Sequence, residues 1–209
     1  MKKYVAAALA LALLMCAFAL AEVSFDAGQD ALERLKDGNA AFVSSGTGGD
    51  ISSERRIDTA VNGQHPYAVV ITCSDSRVPA EHIFSAGVGD LFVIRTAGNV
   101  IGTYELGSVE YGAEHLHAGL VVVLGHTQCG AVDAALNGGA HGNIARITDE
   151  ISAALPEGCD PREAERLNVE NSLARIMESE IMRSLCASGE VQLVGAIYDI
   201  ASGEVEFMD

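Results

Sequence analysis

Residues 67–77 read YAVVITCSDSR, and residues 120–130 read LVVVLGHTQCG. In both stretches a continuous apolar run passes directly into polar residues. Runs without polar alternation are typical of strands covered on both faces, and such strands form mainly parallel sheets. The sequence therefore predicts buried parallel strands at Tyr67–Thr72, Leu91–Arg95, Leu120–Gly125 and Val191–Ile197.

Helical segments alternate with these runs. Ala27–Val43 spaces its apolar residues like an amphipathic helix, and the polar stretch Ser44–Asp50 ends it as a loop. A terminal hairpin is predicted between Val191–Ile200 and Glu204–Phe207, around Ser202-Gly203. The alternation predicts an α/β fold with a mainly parallel central sheet, flanking helices and this C-terminal hairpin. The other predicted helices are Thr103–Leu116, Ala131–Leu136, Ile144–Leu155 and Pro161–Ala187.

The first residues of the chain have the character of an export signal. Two lysines precede an Ala/Leu-rich run that ends in the small-x-small pattern Ala19-Leu20-Ala21. The run is short for a membrane span, although an uncleaved anchor or lipidation at Cys16 stays an alternative. We expect residues 1–21 to be a cleaved signal peptide and residues 22–209 a single domain in the periplasm or outside the cell, without a stable membrane anchor.

The charge of the chain excludes some classes of partner. The 209 residues contain 13 Lys and Arg against 29 Asp and Glu, a formal net charge of −16, and loss of residues 1–21 would make it −18. Because nucleic-acid binding depends on clustered basic residues, we expect no nucleic-acid partner. The same charge disfavours docking on anionic lipid.

Residues suited to binding a metal follow two of the predicted strands. Cys73 and Asp75 follow the first strand, and His126 and Cys129 follow the third. Ligands gather beyond the carboxyl ends of parallel strands, so the two segments are expected to meet there. Two thiolates and an imidazole suit zinc, with a carboxylate or water as the fourth ligand. A disulfide, or two buried thiols beside a core histidine, is the alternative.

Asp75 and Arg77 lie two residues apart in a turn, where they can form a bidentate carboxylate–guanidinium pair. The Asp75 carboxylate can then bind either Arg77 or the metal. Held by Arg77, it would leave the fourth position to water. A plain surface ion pair is the alternative. Cys159 and Cys186 have no polar neighbours in sequence and are expected to be structural, either free or paired with each other.

These motifs resemble those of the β-class carbonic anhydrases. CSDSR at Cys73–Arg77 and GHTQCG at Gly125–Gly130 are the two signatures that carry the resemblance. Further similarity is present at Gly38-Asn39 in the first helix, at Phe92–Asn99 (FVIRTAGN) and at Ser108–Tyr111 (SVEY). The resemblance covers most of the chain after the first predicted helix begins.

The resemblance implies a specific chemistry. One Zn²⁺ per subunit would be held by Cys73, His126 and Cys129, with Asp75 as a fourth ligand in the closed form of the site. Asp75 and Arg77 would form the dyad that orients a zinc-bound hydroxide. That hydroxide would attack carbon dioxide, releasing bicarbonate and a proton. Val70 stands where the bicarbonate-regulated subgroup has Trp, so we expect resting Asp75 to pair with Arg77.

The resemblance also implies substrate-binding residues and an oligomer. Gln64, Phe92, Tyr111 and Gly130 stand where members of the family have pocket residues, although a core aromatic or a loop amide is the plainer interpretation. Members are at least dimers, with part of the pocket supplied by the neighbouring subunit. Two other functions stay open, namely hydrolysis of carbonyl sulfide or carbon disulfide, and non-catalytic binding of zinc or bicarbonate. A proton shuttle could be one of His115, His117 and His141, although structural roles are expected.

Overall fold

A five-stranded sheet forms the centre of the fold. A computed structural model describes residues 27–46 and 48–208, so the predicted signal peptide lies outside the described residues. The strands run in the order β2-β1-β3-β4-β5 across the sheet. β1 to β4 are parallel and β5 is antiparallel to β4, which confirms the predicted fold and hairpin. The strands are β1 (Ala68–Cys73), β2 (Leu91–Thr96), β3 (Leu120–His126), β4 (Gln192–Tyr198) and β5 (Val205–Phe207).

The two central strands are buried along their whole length. Every residue of β1 and β3 is buried, as their unbroken Val and Ile runs predicted. Successive side chains point to opposite faces, so Val70 packs in one apolar cluster while Val69 and Ile71 pack in another. The one hydroxyl inside β1, on Thr72, donates to the Leu124 carbonyl at 2.9 Å. The sheet is therefore a rigid support for the loops that follow its strands.

Helices cover both faces, and most occur where the sequence predicts them. None of the helices in the described part of the chain is long and apolar enough to cross a membrane. A single 3₁₀ turn, Ala97–Asn99, follows β2, and α4 continues into a π-helical turn at Tyr111–His115. The helices are α1 (residues 27–45), α2 (Ser53–Asn62), α3 (Ala80–Ile83), α4 (Thr103–Glu110), α5 (Gly130–Asn137), α6 (Asn143–Ser152), α7 (Pro161–Ile176) and α8 (Glu180–Ser188).

The helical prediction is wrong where it joins α7 and α8 and where it omits α2 and the four-residue α3. The single helix predicted for Pro161–Ala187 is divided into α7 and α8, because Ser179 accepts the Met182 N–H at 3.2 Å and begins a new helix. The Ser179 hydroxyl also donates to Glu110 at 2.6 Å, which ties this break to α4. Helix α2 was not predicted at all. It has no buried residue, so its sequence lacks a core-facing pattern, although Ser52 caps it.

Helix α1 docks closely on the rest of the fold. A Cβ at Gly38 would lie 2.0 Å from the Phe84 carbonyl oxygen, so only glycine permits this approach. Beside it, the buried Asn39 amide donates to the carbonyls of Ile83 and Gly203, and its oxygen accepts the Val205 N–H. These bonds join α1 to the terminal hairpin.

Candidate metal centre

Three metal-ligand side chains converge at the carboxyl edge of the sheet. Cys73 is the last residue of β1, His126 is the last residue of the adjacent β3, and Cys129 immediately precedes α5. Their ligand atoms all lie within 4.8 Å of one another, and all three residues are buried. Because β1 and β3 are parallel neighbours, their ends place the two sequence motifs side by side.

The histidine is oriented for metal binding. Its Nδ1 lies 2.9 Å from the Thr127 carbonyl oxygen, so the proton on that nitrogen is donated to the backbone. Nε2 is then the acceptor nitrogen, and it is buried without a hydrogen-bond partner. A buried acceptor left unpaired is costly. A cation bound at Nε2 would satisfy it, and a backbone acceptor on the other nitrogen is the usual arrangement for a metal-ligating histidine.

The cysteines are free thiols in contact with each other rather than a disulfide. The Cys129 thiol donates to Cys73 and, against the effect of burial, lowers the pKa of Cys73 to about 4. Two N–H groups, of Gly98 at 3.2 Å and Asp75 at 3.4 Å, also donate to Cys73 Sγ. The shared hydrogen bond with Cys73, together with burial, raises the pKa of Cys129. This site stabilises a thiolate, which is the form that binds a metal.

Asp75 and Arg77 meet beside this cluster. Arg77 Nε donates to Asp75 Oδ1 at 3.0 Å and Nη2 donates to Oδ2 at 2.7 Å, while the Arg77 backbone N–H reaches Oδ1 at 2.9 Å. The Arg77 hydrogen bonds, opposed by partial burial, lower the pKa of Asp75 to about 2. The carboxylate is therefore ionised at neutral pH. Arg77 also donates to the Gln128 carbonyl at 3.2 Å, which links the two motifs.

Arg95 is a further residue of the site that the motif analysis did not single out. At the end of β2, its Nε donates to the Cys73 carbonyl at 3.1 Å and its Nη2 donates to the Asp75 carbonyl at 2.6 Å. The guanidinium thereby holds the turn that carries Cys73 and Asp75. A signal was available, because an arginine ends the apolar run LFVIR beside the strand that carries Cys73.

Of the four residues assigned to the substrate pocket, three lie away from the metal ligands. Gln64 is exposed and precedes β1, whereas Cys73 ends it. The five steps from Ala68 to Cys73 span about 17 Å at the usual rise of a strand. Phe92 pairs in register with Val69, so it too lies toward the amino end of the sheet. The Tyr111 ring is 6.0 Å from that of Phe92. Only Gly130, directly after Cys129, adjoins the metal ligands within one chain.

Gly130 contributes to a cavity beside the ligands. The cavity has a volume of about 360 Å³. The Gly130 residue is exposed, and a Cβ there would meet nothing within 4 Å, so the position leaves open space rather than close packing. The cavity is lined by Gln128, Cys129, Gly130, Val132, Asp133, Pro161 and Glu165.

In the described part of the chain the other two cysteines, Cys159 and Cys186, do not form a disulfide. Cys159 packs on the apolar cluster that contains Cys73 and Cys129, whereas Cys186 packs on a different cluster, and both are free. The His115 ring lies 5.4 Å from the Tyr111 ring and is tilted by 47° to it.

The sequence is similar to that of known carbonic anhydrases. A family model described as carbonic anhydrase matches residues 68–205. A carbonic anhydrase of Mycolicibacterium smegmatis is 38% identical over 188 residues, which cover 84% of this chain and 91% of that protein. Carbonic anhydrase 2 of Mycobacterium tuberculosis is 36% identical over 190 residues, with 86% and 92% covered.

Solved structures agree with this similarity. The β-carbonic anhydrase CafA of Aspergillus fumigatus superimposes with a TM-score of 0.69 at 28% identity, over 75% of this chain and 81% of that one. The β-carbonic anhydrase CcaA gives 0.65 at 29% identity, over 85% and 87%. Three protein ligands, here two cysteines and a histidine at the carboxyl edge of the sheet, are the usual set of a zinc enzyme. The chain belongs to the β-class carbonic anhydrase family.

Zinc is the metal that fits the ligand set. Two sulfur ligands and one imidazole nitrogen are the donors that Zn²⁺ selects, and the unpaired Nε2 of His126 completes the set. The family resemblance and the side chains agree on this cofactor. Cys73, His126 and Cys129 are the residues positioned to hold it.

Proposed function

We propose that the chain catalyses the reversible hydration of carbon dioxide to bicarbonate and a proton, with Asp75 and Arg77 as its catalytic dyad. The observation that carries this proposal is the bidentate Asp75–Arg77 pair beside the three-residue ligand cluster. A protein that only binds zinc has no use for an ionised carboxylate held in this way. The relatives named above, which cover most of this chain, support the same reaction.

The hydrogen bonds of Asp75 decide which of its oxygens acts. Oδ1 accepts two N–H groups of Arg77 and is saturated, whereas Oδ2 accepts one and retains a lone pair. We assign to Oδ2 the role of accepting the O–H of the attacking water and so orienting the water oxygen toward carbon dioxide. Arg77 keeps the carboxylate ionised and fixed. Bound zinc would supply the charge that makes water acidic enough to react near neutral pH.

We further propose that the substrate pocket is completed by a second copy of the chain. Gln64, Phe92 and Tyr111 lie toward the end of the sheet opposite the ligands, so a role for them in binding substrate requires the site of a partner subunit. Helix α2 supports an interface nearby, because Ile57 and Val61 share one of its faces and are 64% and 77% exposed.

An oligomer larger than a dimer is also compatible with known folds. A β-carbonic anhydrase of Sordaria macrospora, one of two described as tetrameric, shares the fold at 24% identity with a TM-score of 0.63. We propose a homodimer or a higher assembly for this chain. We also propose that it is exported, on the basis of the Lys-led apolar segment that ends in Ala19-Leu20-Ala21.

The experiment that tests the function is stopped-flow hydration of carbon dioxide by the zinc-loaded protein, its Asp75→Ala variant and a matched control. Glu170→Ala is the control, because Glu170 pairs with Arg166 at the same 2.7 Å distance on an exposed helix surface. We expect Asp75→Ala to lose about 10²–10⁴-fold in kcat, the usual contribution of a positioned proton acceptor, with its zinc retained. Glu170→Ala should match the wild type.

The alternatives give different results. Wild-type protein with stoichiometric zinc but no hydration would overturn the proposal and favour a binding protein. Hydrolysis of carbonyl sulfide or carbon disulfide without hydration of carbon dioxide would favour the hydrolase. Equal activity of Asp75→Ala and wild type would refute the catalytic role of the Asp75–Arg77 dyad but not the proposed reaction.

A further inference from the structure

Helix α7 buries polar side chains on the face that it turns toward the metal site. Glu165, Asn168 and Ser172 are 6%, 1% and 1% exposed. Their spacing of three and four residues places them on one side of the helix. Burial of polar groups is unfavourable unless each has a partner. Each of these three bonds a backbone group beside the cysteine ligands. The Ser172 hydroxyl also accepts from the Asn99 amide at 3.3 Å, and Asn168 Oδ1 has no hydrogen-bond partner.

Glu165 holds the segment that carries Cys129. Its Oε1 accepts the Cys129 N–H at 3.2 Å, and the Gln128 N–H also donates to the carboxylate. Cys129 stands at the N-terminus of α5 and has no side-chain cap of its own. The carboxylate from α7 therefore fixes the backbone of one thiolate ligand.

Asn168 and Ser172 hold the turn that contacts Cys73. The Asn168 amide donates to the Gly98 carbonyl at 2.7 Å, and the Ser172 hydroxyl donates to the Asn99 carbonyl at 2.9 Å. Gly98 and Asn99 have φ angles of 68° and 47°, a left-handed conformation that external support helps to hold. In this turn the Gly98 N–H donates to Cys73 Sγ at 3.2 Å.

We infer that the polar face of α7, defined by Glu165, Asn168 and Ser172, is the positioning element of the zinc site. Glu165 acts on Cys129, and Asn168 acts on Cys73 through Gly98. An N–H directed at a thiolate reduces the electron density that sulfur gives to the metal, so the face sets both zinc affinity and the electronic state of the metal. The inference depends on the zinc site of the proposed function but not on its reaction.

Zinc affinity tests the inference without any measurement of catalysis. A chelator is titrated into five zinc-loaded proteins, namely the wild type, Glu165→Ala, Glu165→Gln, Asn168→Ala and Ile176→Ala. Ile176→Ala is the control, since Ile176 is buried on α7 in an apolar cluster without the ligands. Loss of outer-shell support costs about 10–100-fold in metal affinity. We expect losses of that size for Glu165→Ala and Asn168→Ala, near wild-type affinity for Glu165→Gln, which keeps an acceptor oxygen, and no change for Ile176→Ala.

The absorption spectrum of the cobalt-substituted protein is the second measurement. The thiolate-to-cobalt bands should shift in Asn168→Ala and stay unchanged in Ile176→Ala. Equal losses of affinity in Asn168→Ala and Ile176→Ala would overturn the inference. Unchanged affinity and an unchanged spectrum in both Glu165→Ala and Asn168→Ala would overturn it as well. If Asn168→Ala does not fold, Ser172→Ala takes its place with the same two criteria. A wild type that binds zinc but does not hydrate carbon dioxide would refute the proposed function and leave this inference standing.

Discussion

Replacing Arg95 with methionine removes a guanidinium that holds the Cys73–Asp75 turn but touches neither a ligand atom nor the Asp75 carboxylate. Methionine keeps an unbranched apolar stem, so the packing of β2 changes little. The two hydrogen bonds that disappear end on the carbonyls of Cys73 and Asp75, at 3.1 Å and 2.6 Å. The substitution therefore separates support of the turn from the chemistry of the site.

The size of the effect follows from these two bonds. A hydrogen bond with a charged donor contributes about 1.5–3 kcal/mol net. Arg95 is exposed, so water can replace the guanidinium at both carbonyls and the lower end of that range applies. We expect Arg95→Met to lower the free energy of unfolding by about 3 kcal/mol. We also expect kcat/KM to fall by about 100-fold, the cost of displacing a reacting group by roughly 1 Å.

Urea unfolding and stopped-flow hydration of carbon dioxide measure the two effects at one protomer concentration. Arg166→Met is the control, since Arg166 is exposed and pairs with Glu170 on the helix surface. It should change stability by less than about 0.5 kcal/mol. If Arg95→Met unfolds within that same margin of the wild type and keeps full activity, the assignment of Arg95 to the turn is refuted.

Three further predictions follow from contacts away from the dyad. Asn39→Leu should lower the free energy of unfolding by about 2–4 kcal/mol in urea, because two buried carbonyls and the partly buried Val205 N–H lose their partner; a change below about 1 kcal/mol would contradict this. Burial raises the pKa of Tyr67 from 10.0 to about 12, so the folded state keeps a proton that the unfolded state loses between these values, and stability falls as pH rises through this window. Tyr67→Phe should lose less stability than the wild type over that range, and parallel losses would argue against it. Chelation of zinc should lower the melting temperature by about 5 °C or more, since it returns His126 Nε2 to a buried state without a partner. Added zinc should restore it, and an unchanged melting curve on chelation would count against the site.

The ligand cluster was predictable because it depends on short-range rules. Unbroken apolar runs predict strands covered on both faces, and parallel strands end at one edge. Cys73 and His126 are the final residues of β1 and β3, so those two rules suffice to bring them together. Asp75 and Arg77 are neighbours in one turn, and their pairing needs no long-range information.

The errors in the helix prediction come from features that short-range sequence rules do not include. The break between α7 and α8 lies in the segment Met177–Ser179, and its Ser179 cap is fixed in place by Glu110, which is 69 residues away in sequence. No local propensity rule contains that contact. Helix α2 was not predicted because its large apolar residues, Ile57 and Val61, are exposed and do not pack in the core.

Helix α7 shows why the support of a metal site is harder to predict than its ligands. Its sequence PREAERLNVENSLARI places charged and amide residues around the whole helix, so Glu165 and Asn168 cannot be distinguished from their exposed neighbours by type. Their function depends on partners in β3–α5 and in the turn after β2, which only the folded chain brings near. A helix that lies against a sheet normally buries an apolar stripe. Helix α7 buries Ala164, Val169 and Ile176 in this way. It also buries Glu165, Asn168 and Ser172, which bond backbone groups beside Cys73 and Cys129. A helix that carries Glu, Asn or Ser beside its buried apolar residues, and that follows a Cys- or His-bearing strand end, is therefore a sequence pattern that indicates support for a metal site.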